Sequence, residues 1–326
     1  MRRLGLLSML SILTVSAFTG PPCGAQETAE AATPGPMDMF IAYSRGQLQA
    51  QGFERRVAEI GGEDLVWWQK GEGPSLVLVH GVSDQAGTWF LVAGGLAADH
   101  RVLLVDLPGH GESGPAKGPL AMDRIADGFE AWLATHAAPP SGQPPVLVGN
   151  SMGAWVALLA ALRSPDHVSR VVAVNGGGLH ADTGDLDLLP KTREEARRLM
   201  AALRDPASPP TLDAVLDDLV RRVPTGQVSR MFEAEGSMEA LLLDDRLGQI
   251  DTPVDVLWGA SDRYLGRAYA ERLAAGLPNA RLTFLETCGH LPQAECPKSF
   301  TEGLRAVLAQ DPPSTPNEPP MKETPP

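Results

Sequence analysis

Short, continuous apolar runs punctuate the chain at Leu76–Val79, Arg101–Val105, Val146–Val148, Val171–Val174, Val254–Trp258 and Arg281–Leu285. Runs of this length with no polar face suit strands covered on both sides, the situation in a parallel sheet. Ahead of them, Arg56–Ile60 and Leu65–Trp68 flank Gly61-Gly62 and predict a hairpin or meander. The expected sheet therefore has about eight strands, mostly parallel. Helix-forming segments lie between the runs; one of them, Ala154–Arg163, is stopped by Ser164-Pro165. Strand and helix alternating in this way predict a wound α/β sheet with helices on both faces.

The interval 179–249 breaks the alternation. It contains no convincing strand, but Thr192 and Glu195 form a capping-box pattern ahead of Ala196, Leu199, Met200 and Leu203 at helical spacing. Thr211 is placed to cap a second helix carrying Leu212, Val215, Leu216, Leu219 and Val220, with Arg221 and Arg222 at its negative end. A third is expected around Leu241–Leu243. Their apolar stripes need a surface to cover, and the carboxyl edge of the sheet is the simplest one, so 179–249 reads as an inserted helical lid. The core is then 52–178 together with 250–310.

The termini differ from this pattern. Arg2 and Arg3, the apolar stretch Leu4–Phe18 and Cys23-Gly24-Ala25 before Gln26 have the layout of a signal peptide over 1–25. The apolar stretch falls short of the roughly 20 residues a membrane span needs, and Pro21-Pro22 speaks against lipid attachment at Cys23. A periplasmic or secreted protein is expected, with no stable membrane span after signal removal. Residues 26–51 read as a lead-in, within which Met37–Gln51 is either a helix or an irregular strap. Asp311–Pro326 is proline-rich and reads as a disordered tail.

Composition narrows the partners. With 326 residues, 43% of them hydrophobic, the chain can bury a substantial core. A net charge of −13 leaves no basic face for nucleic acid. Once the signal is removed, two cysteines remain, Cys288 and Cys296. An oxidising compartment would allow them to bridge, and two separate buried thiols are the alternative.

Candidate chemistry concentrates at Gly149-Asn150-Ser151-Met152-Gly153, directly after one apolar run and before a helix. This is the G-x-S-x-G elbow in the context it requires, and it makes Ser151 a nucleophile. A serine hydroxyl needs a base, and the base needs an orienting acid. His290 is the histidine just beyond the last predicted strand, and Asp262 follows the strand Val254–Trp258, whereas Asp251 precedes that strand and Asp255 lies inside it. The loop after the first long strand, His80-Gly81-Val82, is placed to give the Val82 N–H as an oxyanion donor alongside that of Met152. His80 and His110 read as structural. Trp89 and Trp155 are candidates for the acyl pocket, with core packing as the alternative.

Taken in order, His80-Gly81, Asp106-Leu-Pro-Gly-His-Gly, Gly149–Gly153, Trp258-Gly with Asp262, and Gly289-His290 resemble the α/β-hydrolase family over roughly 52–309. Asn175-Gly-Gly-Gly-Leu179 and Cys288-Gly-His290 look most like its bacterial lid-bearing lipases and esterases, the family V lipolytic enzymes. The elbow is also similar to that of carbon–carbon bond hydrolases of the vinylogous diketone type, from which Val82-Ser83-Asp84 and Leu291 depart. The resemblance implies a monomeric serine esterase or lipase that forms an acyl-enzyme on a small-molecule or lipid ester, with no metal or organic cofactor.

Overall fold

The computed structural model describes residues 33–138, 142–234 and 237–314. The signal peptide expected over 1–25, with Cys23, lies outside the described residues, as does the proline-rich tail beyond its first four positions.

Among the described residues eight strands form one sheet: β1 (Glu54–Ile60), β2 (Glu63–Lys70), β3 (Ser75–Val79), β4 (Arg101–Val105), β5 (Val146–Asn150), β6 (Arg170–Val174), β7 (Val254–Gly259) and β8 (Ala280–Leu285). Their spatial order is β1-β2-β4-β3-β5-β6-β7-β8. β1, β2 and β4 pair antiparallel, and every pairing from β4 to β8 is parallel. The helices are α1 (Pro36–Ala50), α2 (Phe90–Leu96), α3 (Met122–Trp132), α4 (Met152–Arg163), α5 (Arg193–Ala202), α6 (Asp213–Arg222), α7 (Gln227–Glu233), α8 (Ser237–Ala240), α9 (Arg267–Gly276), α10 (Pro292–Glu295) and α11 (Pro297–Leu308).

The apolar runs explain the layering. Successive side chains of a strand point to opposite faces, so Val77 and Val79 enter the core beneath α3, α4 and α9, while Leu76 and Leu78 enter the one beneath α1, α2 and α11. β4 and β6 divide in the same way, Leu103 and Ala173 to the first core and Leu104 and Val172 to the second. Asp255 is the polar exception within β7. It is buried and pairs with Arg170 at 2.5 Å and Arg281 at 2.5 Å, a structural use at the amino end of the strand.

The two alternatives for Met37–Gln51 resolve to the helix α1, whose Ser44 and Leu48 are buried against the body of the protein. Within 179–249 the described residues form helices and turns and no strand. Thr192 caps α5 as expected, accepting from the Glu195 N–H at 3.2 Å. Thr211 does not cap α6. Leu212 holds the cap position with no side-chain bond, and Thr211 Oγ1 accepts instead from Arg204 at 3.4 Å. Of the stripe expected on α6, Leu216 is fully buried whereas Leu212 is 73% exposed. The third helix is the single turn α8. Leu241–Leu243 lie beyond it, because the Leu243 N–H bonds across the chain to Gly178 O at 2.8 Å rather than along a helix.

Candidate active site

β5 ends at Asn150 and α4 begins at Met152, which leaves Ser151 alone at φ 55°, ψ −119°. A non-glycine residue held there costs on the order of 1–3 kcal/mol and persists only where its surroundings over-determine it. The Ser151 N–H donates to Val174 O at 2.9 Å, which fixes one side of the turn. The motif glycines fix the other. A Cβ on Gly149 would lie 2.3 Å from Gly153 O, and one on Gly153 would lie 2.2 Å from Val79 O, so neither site admits a side chain.

The structure brings Ser151, His290 and Asp262 together from three separate loops. Ser151 Oγ is 2.9 Å from His290 Nε2, and His290 Nδ1 is 2.7 Å from Asp262 Oδ2. Asp262 is buried, and its carboxylate is fully engaged. Oδ1 accepts from the Tyr264 N–H at 2.9 Å and the Leu265 N–H at 3.0 Å, while Oδ2 also accepts from Asn175 Nδ2 at 2.9 Å. With every donor committed, the acid can offer His290 only an acceptor, so Nδ1 must carry the proton and Nε2 is left free to accept one from Ser151.

Several side chains that hold this arrangement were not among the candidate catalytic residues of the sequence. Asn150 donates to His290 O at 2.9 Å and accepts from Gln293 at 3.2 Å, tying the elbow to the base loop. Asn175 sits at φ 46°, a left-handed value that asparagine tolerates, and orients Asp262 while accepting from the Gly259 N–H at 2.9 Å. The one hint of it is an asparagine between an apolar strand and three glycines. Tyr264 packs edge-on against the His290 ring at 5.6 Å between centroids, and burial raises its hydroxyl to about 12. Cys288 and Cys296 are joined in a disulfide that spans the base loop.

Val82 and Met152 both line the cavity into which Ser151 opens. Met152 is the first residue of α4, so its N–H is one of the donors a helix cannot satisfy internally. The loop before Val82 is pinned by His80, which burial lowers to about 4 and keeps neutral near pH 7. In that form Nδ1–H donates to Gly81 O at 2.7 Å, and Nε2 accepts from the Leu107 N–H at 3.0 Å. His110 lies beside it, equally buried and away from Ser151's base.

The cavity measures about 200 Å³. Its core side includes Trp155, whose Nε1 donates to Leu241 O at 2.9 Å, and Leu188, Met231, Phe232, Met238 and Leu242 of the insertion close the other side. Among the described residues no lysine, arginine, aspartate or glutamate lines it. Trp89 is not part of it. That ring is fully buried in the second core, 6.0 Å from Phe300, because the turn Ala86–Trp89 directs it beneath α1, α2 and α11. A larger groove of about 470 Å³ between the β1–β2 hairpin and α3 contains none of the three residues.

Comparison with known proteins places this geometry among related ones. A family profile described as the alpha/beta hydrolase family matches residues 76–302. A 2-hydroxy-6-oxononadienedioate/2-hydroxy-6-oxononatrienedioate hydrolase of Cupriavidus pinatubonensis is 29% identical over 253 residues, which cover 69% of this chain and 83% of the relative. A membrane phospholipase A described as a bacterial virulence factor superimposes with a TM-score of 0.69 at 23% identity, over 84% of this chain and 91% of that one. An N-acyl homoserine lactone degrading enzyme superimposes with a TM-score of 0.64 at 26% identity, over 77% and 99%.

Proposed function

The chain belongs to the alpha/beta hydrolase family, and from that premise we propose that it is a serine hydrolase of carboxylic esters, an esterase or lipase working through an acyl-enzyme on Ser151. The observation that carries this reading is the hydrogen-bonded line Ser151–His290–Asp262 opening into a cavity whose described lining carries no lysine, arginine, aspartate or glutamate. His290 Nε2 takes the Ser151 proton as Oγ attacks the ester carbonyl, and the Val82 and Met152 N–H groups receive the oxyanion. Asp262 stabilises the imidazolium, and His290 then protonates the departing alcohol. Water follows the same route in reverse to release the acid.

The insertion 179–249 is the lid of this site, because Leu188, Met231, Phe232, Met238 and Leu242 supply its apolar cover. It is anchored by Arg230, whose guanidinium donates to Gly109 O at 3.1 Å, Pro115 O at 2.7 Å and Gly118 O at 2.8 Å. An oxidising compartment, periplasm or exterior, suits the chain: the Cys288–Cys296 bond persists there, and Arg2-Arg3 followed by Leu4–Phe18 is the pattern of an export signal. Among the described residues no helix is long and apolar enough to cross a membrane.

The cavity supports the ester reading over the carbon–carbon one. A dienedioate carries two carboxylates, and burying either without a cationic partner is costly, while among the described residues no lysine or arginine lines this cavity. A neutral acyl chain meets no such penalty, and the N-acyl homoserine lactone degraded by the 26%-identical relative is itself a neutral acyl compound. At about 200 Å³ the space falls below the roughly 300–1,000 Å³ of sites that take drug-sized ligands, which favours acyl chains of about four to eight carbons. With purified protein, kcat/KM is expected to peak between the butyryl and octanoyl p-nitrophenyl esters and to fall at least about tenfold for palmitoyl, with a vinylogous diketone dicarboxylate cleaved more slowly than any of them. Faster cleavage of the diketone would select the carbon–carbon reading instead.

A further inference from the structure

The last carbonyls of a helix have no partner within it, and α5 of the lid finds its partners in the two loops that carry Asp262 and His290. Ala202 O accepts from the Arg263 N–H at 3.0 Å, next to Asp262, and Leu203 O accepts from the N–H of His290 itself at 2.7 Å. The Arg263 guanidinium donates to Ala201 O. Two residues beyond Leu203, Asp205 accepts from Ser261 Oγ at 2.5 Å. The end of α5 thus forms one wall of the acid and base loops as well as part of a cover.

Glu295 locks this junction. Its side chain is 8% exposed. Oε2 accepts from the Gly289 N–H at 2.6 Å, directly before His290, and Oε1 accepts from the Asp205 N–H at 2.9 Å and Ser208 Oγ at 2.5 Å. Arg204 Nε stands 3.7 Å away. Gly289 is where the two chains press together, since a Cβ there would lie 2.4 Å from Leu203 O and 2.6 Å from Glu295 Oε2. The disulfide between Cys288 and Cys296 brackets the whole segment.

We infer that Glu295 is a positioning residue for His290, holding the base loop against the end of α5 so that Nε2 stays in line with Ser151. This rests on the serine-hydrolase reading of the same site. It also fixes which part of the lid can move, because the strip Ala202–Asp205 cannot lift without taking His290 with it.

The test compares wild type, Glu295→Ala and Glu295→Gln in the full chain, with thermal unfolding as the check of folding. Glu295→Ala is expected to lower kcat for p-nitrophenyl butyrate by roughly tenfold to a hundredfold with KM within about threefold, the size of loss a misplacement of about 1 Å produces. Glu295→Gln keeps the shape and one acceptor and is expected to fall between the two; if the alanine variant does not fold, the glutamine variant carries the comparison alone. The low-field proton NMR signal of His290 Nδ1–H, read without substrate, should shift or broaden in the same order. A lowered melting temperature with unchanged kcat and an unmoved Nδ1–H signal would overturn the inference. Failure of the hydrolase reading looks different: wild-type ester turnover would survive Ser151→Ala, while the NMR comparison would still report whether Glu295 positions the ring.

Discussion

Replacing Ser151 with alanine is expected to lower kcat for p-nitrophenyl butyrate by roughly ten-thousandfold to a millionfold, because the attacking oxygen is removed while the rest of the site stays in place. The fold has little reason to respond. Alanine keeps the Cβ, and the turn at φ 55° is held by the backbone bond from the residue 151 N–H to Val174 O and by the close packing of Gly149 on Gly153. KM should change little, since the apolar wall of the cavity is untouched. Steady-state kinetics with a thermal melt checks both halves, and an active, normally folded variant would remove the serine from the mechanism.

Asp262→Asn is expected to cost about ten-thousandfold in kcat, and the bonds around the carboxylate say why. Two backbone N–H groups, of Tyr264 and Leu265, converge on Oδ1, so an asparagine must present its oxygen to them and its NH2 to Asn175 and His290. Facing a donor, His290 Nδ1 would have to accept, which moves the proton to Nε2, where it points at Ser151 Oγ. The ring then cannot act as a base. Two donors, Asn175 Nδ2 and the new NH2, would also oppose each other, at a cost of about 1–3 kcal/mol for a buried unpaired group. The variant should therefore melt lower yet remain folded, with its loss concentrated in kcat.

The fold was legible in the sequence wherever one strong period dominated. Strands buried on both faces left continuous apolar runs, and β3, β4, β6 and β7 follow them almost residue for residue. Ser151 was legible because the elbow demands glycine at two fixed offsets, and His290 and Asp262 because each lies just past a strand end. What escaped reading was set by contacts across the chain. Trp89 and Trp155 are the same residue type near equally plausible loops, yet one ring is directed into the second core and the other into the cavity wall. The extent of α8 was settled by a backbone bond to a distant partner, from the Leu243 N–H to Gly178 O, and at the start of α6 Thr211 Oγ1 accepts from Arg204 and leaves Leu212 at the cap. Asn150, Asn175 and Glu295 act through hydrogen bonds to backbone and side chains that are remote in sequence, to His290 O, Asp262 and the Asp205 N–H. Such bonds leave no period, and a motif that contains the residue does not name its partner.

The lid proposed for 179–249 is joined to the loops of Asp262 and His290 at one end and to the 109–118 loop through Arg230 at another, which has consequences for selectivity. Residues such as Phe232, 60% exposed at the cavity, can vary what enters without disturbing the hydrogen-bonded line, whereas changes near Leu203 act on the chemistry itself.

The central claim, a nucleophilic Ser151, is tested most directly by treating the purified protein with a fluorophosphonate and locating the adduct by tandem mass spectrometry. The expected result is a single adduct on the Ser151 peptide whose accumulation tracks the loss of ester turnover. Full loss of turnover with Ser151 unmodified, or full turnover with Ser151 modified, would contradict it.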